Sequence, residues 1–322
     1  MFSVTVAPGM ATATTAPPAF PGSCRPQQTL RRPAVINGRG YWSGRENRVE
    51  LRPSGAGTGI VFVRDDLGGV RVPATLGHRV DAASRTNLAA GAVVVEMVEH
   101  VLSGLAGLGI DCCEIGLTAA ELPGLDGSAA AYVEAIDRAG SEPLDLPISP
   151  ILITAPIVIE AADGAGRIVA TPPTTAGLRV DYELAYPGRP IPPQRFAAAI
   201  TPQRYRDDIA AARTFLPEAD ARRLQAAGRG LTVSSQDLLV FGPDGPIDNQ
   251  LRWPDECARH KVLDVVGDLL LAGQPIWADV TACRSGHSLN AALAVAALAA
   301  AGTDPGSPAA GGRGQPEGGG DE

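Results

Sequence analysis

Aromatic side chains are scarce in this chain of 322 residues: Phe, Trp and Tyr make up 4% of it, against 45% hydrophobic residues overall and 38 glycines. The core is therefore expected to consist of aliphatic side chains on helices and strands, and the length suffices for about two domains, each burying its own core. Positive charge is also short, since 27 Lys and Arg face 35 Asp and Glu for a formal net charge of −8. No basic stripe is available to neutralise a phosphate backbone, which excludes nucleic acid as a general partner but leaves room for one small phosphorylated ligand. Long apolar runs are missing too. The run near the end, from Ala291 to Ala301, falls well short of the roughly 20 residues that cross a bilayer, so no membrane span is expected.

The five cysteines, Cys24, Cys112, Cys113, Cys257 and Cys283, form no even framework, and two are chain neighbours that bridge only with difficulty. Reduced thiols in a cytoplasmic protein fit this pattern. Residues 1–27 lack a positive start and an unbroken apolar stretch, with Pro8, Pro17, Pro18 and Pro21 interrupting them, and read as a disordered leader rather than a secretion signal. The Gly- and charge-rich end, 302–322, reads as a disordered tail. Absent as well are H-E-x-x-H and its inverted form (Glu96, not His, stands three before Glu99), G-x-S-x-G, a phosphate loop and a Rossmann glycine pattern. Ordinary zinc proteases and serine hydrolases thereby lose ground.

What is present begins again half-way along. "NRVELRP" (47–53) and "TGIVFVR" (58–64) read as strands of an opening hairpin or meander, followed by a helix over 92–108, a strand "CEIGLT" (113–118) and a helix over 125–140. "SEPLDLP" (141–147), rich in Pro and charge, reads as a linker. Beyond it, "ILITAPIVIEA", "GRIVATP" and "LRVDYELAY" read as strands, and "YRDDIAAARTF" and "ADARRLQAAG" as helical. A long helix, a strand "IWADVTAC" (276–283) and a final helix after Gly286 complete the pattern. The fold class expected is α+β, with a domain over 28–142 and a similar one over 148–301. An echo links them: Glu96 and His100, like Glu256 and His260, lie four apart on apolar stretches, as duplication would produce.

The long helix, "DECARHKVLDVVGDLLLAG" (255–273), poses the central question. Val262, Leu263, Val265, Val266, Leu269, Leu270 and Leu271 mark it for burial, yet Glu256, His260, Asp264 and Asp268 recur every fourth residue. They must stack along one side, drifting by about 40° per step. His260 and Asp264 could ligate one metal together, and His100 from the first half would complete two imidazoles and one carboxylate, a catalytic zinc set that leaves a position for water. A His and an Asp four apart are more often an ordinary helical pair, but charges in apolar surroundings have to be paired or bound to metal. Glu256 reads as a first-turn acid solvated at the helix dipole. Glu99 could act as a base, His287 as an acid after Gly286, and Asp268 could orient that histidine; Lys261 could hold a phosphate. Each is otherwise a common surface or helix-start residue.

In that order and spacing, "EMVEHVLSGLAGLGID", "LPGLDGSAAAYVEAI", "RTF", "DECARHKVLDVVGDLLLAG" and "SGHSLN" resemble the UDP-3-O-acyl-N-acetylglucosamine deacetylases of lipid A synthesis. The resemblance extends over about 28–300 and includes the opening "TLRRPAVINGRGYWSGRENRVELRPS". It implies a cytoplasmic zinc amidohydrolase of two similar α/β-sandwich domains, helices facing, with the site between them. Position by position, it implies His100, His260 and Asp264 as zinc ligands, Glu99 as general base, His287 as general acid and Asp268 as its partner. Thr214 would steady the oxyanion, Lys261 contact the substrate and Phe215 line the ligand groove. The substrate would be a UDP-sugar bearing an acyl chain, and the protein a monomer. A degenerate homologue that only binds nucleotide sugar, or a metallohydrolase of another acylated amino sugar, are the alternatives. The chain departs from the family pattern where Leu216-Pro217 follows "RTF" in place of glycine, and where "YPGRPIPPQ" (186–194) lacks a histidine.

Overall fold

In the computed structural model, residues 2–6 and 24–302 are described. Six α-helices lie among them: α1 (Glu99–Gly107), α2 (Ala130–Ala139), the single turn α3 (Pro202–Arg204), α4 (Glu218–Ala226), α5 (Glu256–Leu269) and α6 (His287–Ala300). The architecture is mixed α+β, with several separate sheets.

The larger sheet runs in the order Phe2–Val6, Ile157–Ala161, Arg167–Thr171, Ile276–Cys283, Leu178–Leu184, Gln194–Ala199, and Ile151–Leu152 also pairs with Ile276–Cys283. The second sheet runs Ala34–Arg39, Glu46–Pro53, Cys113–Leu117, Ile60–Arg64, Val70–Pro73. The strands expected around 47–53 and 58–64 therefore form, but not as a hairpin. Cys113–Leu117 lies between them, antiparallel to one and parallel to the other. Ile60–Arg64 is buried at every position. Its two edges are taken by Cys113–Leu117 and Val70–Pro73, so this apolar strand lies inside the sheet with its backbone paired on both sides.

Three other expectations shift. Val93–Glu96, taken as the start of the first helix, is a strand paired with Asn87–Ala90, because three successive β-branched valines suit a pleated surface better than a helix turn. α1 consequently begins only at Glu99. "SEPLDLP" is not a linker: Ser141–Ile148 pairs antiparallel with Arg25–Leu30, and a break in register between Pro143 and Pro147 accommodates prolines that cannot donate to the ladder. Phe2–Val6, within the expected leader, forms an edge strand against Ile157–Ala161, its alternating sequence preceding every one of the prolines. The rest of that leader up to residue 23, and the expected tail from 303, lie outside the described residues.

Two large apolar cores form, beside a small cluster of Tyr41, Met97 and Leu238. One gathers side chains between Leu30 and Ala139 with Leu271, the other side chains from Ile151 to Leu298 with Ala129 and Val133. Where they meet, α1 packs directly on α5. A Cβ on Gly267 would lie 2.3 Å from the Glu99 carbonyl oxygen, so only glycine permits so close a crossing. A polar relay braces the same crossing, in which Tyr205 Oη donates to Ser103 Oγ over 2.7 Å and Ser103 Oγ to the Leu263 carbonyl over 2.7 Å.

Candidate metal centre and active site

All four members of the polar stripe on α5 are buried, Glu256 at 0%, His260 at 2%, Asp264 at 3% and Asp268 at 1% exposure. Burying such groups without partners costs several kcal/mol each, and each has found a different answer. Glu256 is not the solvated first-turn acid expected from its position. Its two oxygens accept from Arg213 Nε at 2.7 Å and Nη2 at 3.1 Å, and from the backbone N–H of Arg252 at 2.6 Å. Arg213 stands immediately before Thr214, so this pair ties the "RTF" segment to the foot of α5. The place of Arg213 as the first residue of "RTF" was the one available sequence signal, and it names no partner.

His260 Nδ1 bonds the Ala212 carbonyl at 3.0 Å. That contact selects the tautomer carrying the proton on Nδ1 and turns a free Nε2 lone pair inward, where it lies 3.4 Å from Asp264 Oδ1. Across the crossing, the ring of His100 meets that of His260 edge-on, with centroids 5.1 Å apart. One ligand atom each from His100, His260 and Asp264 falls within 4.8 Å of the others. The two histidines of the sequence echo thus do face one another, although Glu96 lies on a strand and Glu256 on a helix.

The donor set fits a divalent metal on two further grounds. His100 Nδ1 and Asp264 Oδ1 are buried without a hydrogen-bond partner, a rare condition for buried polar atoms. Protonation states are also those of ligands. Burial, followed by the neighbouring His260, pushes His100 down to about 3, and burial lowers His260. Burial alone would raise Asp264, but Lys261 and then the imidazoles outweigh it and hold the carboxyl well below its usual range. Neutral imidazoles and an ionised carboxylate need lose no proton before coordinating. Replacing Gly267 by alanine should force α1 away from α5, lowering stability by about 1–3 kcal/mol and weakening divalent-metal affinity. Calorimetry and metal titration check this, and unchanged values in both would show that the crossing has slack.

Around this set lies a cavity of about 1030 Å³, lined by Glu99, His100, Thr214, Phe215, His260, Lys261, Asp264 and His287 among others. Eight of the nine residues singled out from the sequence therefore converge, and Asp268 stands directly behind His287, accepting from its Nδ1 at 2.9 Å. Lys261 points its ammonium not at open space but at Asp264 Oδ2, 2.6 Å away. The Phe215 ring packs edge-on against His260, with centroids 6.3 Å apart. The departure at Leu216-Pro217 is absorbed in a strand, Phe215–Pro217, paired with Leu239–Gly242. Thr214 stays anchored by its N–H to the Gly127 carbonyl at 2.7 Å. Backbone strain sits at both entrances to the site: Met97, two before Glu99, has φ 60°, and Arg284, three before His287, has φ 50°. Such left-handed non-glycine residues cost on the order of 1–3 kcal/mol and persist where the surroundings hold them.

Two ionisable groups are poised for proton transfer. Burial raises Glu99 to about 7. Burial would lower His287, yet the Asp268 and Asp264 carboxylates raise it to about 9. Both shifts run upward, so near neutral pH the carboxyl can accept a proton while the imidazole still holds one to give. Thr86 and Asn290, neither singled out from the sequence, complete the surroundings, with Asn290 Nδ2 donating to Asp268 Oδ2 at 2.8 Å.

Comparison with known families gives one decisive match. The model of the UDP-3-O-acyl N-acetylglycosamine deacetylase family covers residues 27–299. The chain belongs to that family. Among similar members is a UDP-3-O-acyl-N-acetylglucosamine deacetylase of Anaeromyxobacter sp. (strain Fw109-5), 37% identical over 87% of this chain and 90% of its own length. Proteins of the same name from Solibacter usitatus (strain Ellin6076) and Chlamydia abortus (strain DSM 27085 / S26/3) are each 35% identical, over 83% and 84% of this chain and 89% and 95% of their own. No described helix is long and apolar enough to cross a membrane. Four of the five sequence blocks contribute residues to the one cavity, the exception being "LPGLDGSAAAYVEAI".

Proposed function

We propose that the protein hydrolyses the N-acetyl amide of UDP-3-O-acyl-N-acetylglucosamine, releasing acetate and the free amine, in lipid A synthesis, with zinc held by His100, His260 and Asp264. The observation that carries this reading is the meeting of two neutral buried imidazoles and one ionised carboxylate, from α1 and α5, beside Glu99 and His287 in one cavity. Zinc bound there supplies positive charge that polarises the amide carbonyl and acidifies water. Glu99 takes the proton of the attacking water, and the Thr214 hydroxyl donates to the carbonyl oxygen as negative charge gathers on it. His287, held protonated by Asp268, delivers a proton to the amine nitrogen as the C–N bond breaks.

The rest of the cavity suits the substrate. Arg284 lines it and supplies charge for a diphosphate, while Arg189 and Arg222, also in the lining, are paired with Asp220 and Glu218, and Ile191, Leu216 and Val240 supply apolar wall for an acyl chain. Phe215 contributes to that wall, and Lys261 both neutralises Asp264 and borders the substrate. The two apolar cores support a reading as two similar α/β-sandwich domains, packed with their helices facing and the site between. All ligands come from one chain, which supports a monomeric catalytic unit, and five unpaired thiols, three of them buried, support a cytoplasmic setting.

Mass spectrometry of the purified protein with the UDP-sugar tests the reading. Acetate and the free amine are expected, turnover should stop with a chelator, and zinc should restore it. Binding without acetate release from zinc-loaded protein would make this a degenerate sugar-binding homologue, and turnover confined to a different acylated amino sugar would displace the substrate.

A further inference from the structure

Thr86 makes two contacts that cross the site. Its backbone N–H donates to Glu99 Oε2 at 3.0 Å, and its hydroxyl donates to Asp268 Oδ1 at 2.6 Å. A third contact fixes the other side of the same residue, since the Val98 N–H donates to the Thr86 carbonyl at 3.1 Å. The side chain is fully buried and does not border the cavity, unlike its neighbour Ser84.

We infer that Thr86 is a positioning residue that couples base to acid: its main chain holds the Glu99 carboxylate while its hydroxyl orients the Asp268 carboxylate that sets His287. This rests on the acid–base reading of the preceding subsection and extends it.

The hydroxyl can only donate here, because its partner is a carboxylate acceptor. With Oδ1 occupied by Thr86, Oδ2 is left for His287 Nδ1 at 2.9 Å and for Asn290 Nδ2 at 2.8 Å. The three donors to Asp268 come from two segments outside α5: Thr86 before the strand Asn87–Ala90, and His287 and Asn290 on α6. The carboxylate plane is fixed by three donors, and the imidazole follows that plane. Asn290 is itself oriented, its Oδ1 accepting from Ser285 Oγ, so the remaining freedom of the carboxylate lies in the Thr86 bond. Amide hydrolysis needs a proton taken at one place and delivered at another within a single site. A residue bonded to both carboxylates keeps these two places at a constant separation.

Because Thr86 touches neither the cavity nor the candidate metal ligands, loss of its hydroxyl should act on turnover rather than on substrate or metal binding. The experiment uses the zinc-loaded full chain and four variants: Thr86→Val, which keeps the shape and the N–H but lacks the hydroxyl, Thr86→Ser, His287→Ala, and the Thr86→Val/His287→Ala pair. Thr86→Val should lower kcat at least tenfold with KM, zinc content and melting temperature near those of the parent, and Thr86→Ser should recover most of the loss. Combined with His287→Ala, Thr86→Val should add no further loss, as residues acting through one another do. If Thr86→Val does not fold, Thr86→Ala takes its place in the same comparisons.

A kcat for Thr86→Val within twofold of the parent, beside a crippled His287→Ala, overturns this inference alone. So does a double variant whose losses multiply. Full turnover in His287→Ala overturns the acid assignment, and this inference with it.

Discussion

Replacing His100 by alanine is expected to remove stoichiometric zinc and to lower turnover on the order of a thousandfold or more, while leaving the fold standing. His100 is the clearest of the proposed ligands to remove because, held neutral by burial with a pKa of about 3, it takes no charge with it. Asp264 is a poorer choice. Its loss would leave the Lys261 ammonium, 2.6 Å away, buried without a counter-charge, and breaking such a pair costs about 3–5 kcal/mol. The His100→Ala protein should therefore melt near the parent in its metal-free form, which separates a lost ion from a lost fold. Metal analysis after dialysis, alongside turnover, decides the matter. One equivalent of zinc retained by His100→Ala would remove this residue from the ligand set.

A bell-shaped dependence of kcat/KM on pH is the second expectation, together with losses on the order of 10²–10⁴ in Glu99→Gln and His287→Ala. The signs follow from the two roles. In the proposed role of base, Glu99 must be ionised, so activity should rise with pH through its pKa, which burial places at about 7. In the proposed role of acid, His287 must be protonated, so activity should fall as pH passes its pKa, which Asp268 and Asp264 hold, against burial, at about 9. A bound dication disfavours further positive charge nearby, so in the zinc-loaded enzyme both limbs should lie below these values. Residual activity of Glu99→Gln should lose the acid limb, and that of His287→Ala the alkaline limb. Unaltered limbs in both variants would mean that other groups govern the profile.

The stripe on α5 shows how far sequence reasoning reaches. Period-four recurrence of Glu256, His260, Asp264 and Asp268 is a local property of one helix, and the apolar residues around it announce burial. From these alone follow a shared face and a need for compensation. The nature of the compensation differs at each turn: an arginine 43 positions earlier for Glu256, a backbone carbonyl 48 positions earlier for His260, and a threonine 182 positions earlier for Asp268. No local pattern carries that information. Glu256 was misjudged for this reason, since a first-turn acid looks the same in sequence whether solvated or buried.

The sheets carry the same lesson. Short apolar runs marked 47–53, 58–64 and 113–118 as strands, but the hairpin expected of the first two gave way to insertion of the third between them, because adjacency in the chain is only one of several routes to a partner. Proline in "SEPLDLP" argued for a linker, when a break in register lets those residues pair. Leu216-Pro217, a departure from the family pattern, turned out to be compatible with a short strand that leaves Thr214 tethered.

By itself the sequence determined the family, and the helical face that carries His260, Asp264 and Asp268 together with Glu256, because motif order and helical period are short-range and survive in one dimension. Only the tertiary structure decided how closely α1 and α5 approach, where Gly267 leaves room for the Glu99 backbone, and which donors hold each buried carboxylate, Thr86 among them. Those depend on desolvation and on contacts between distant segments, which exist only once the chain has closed on itself.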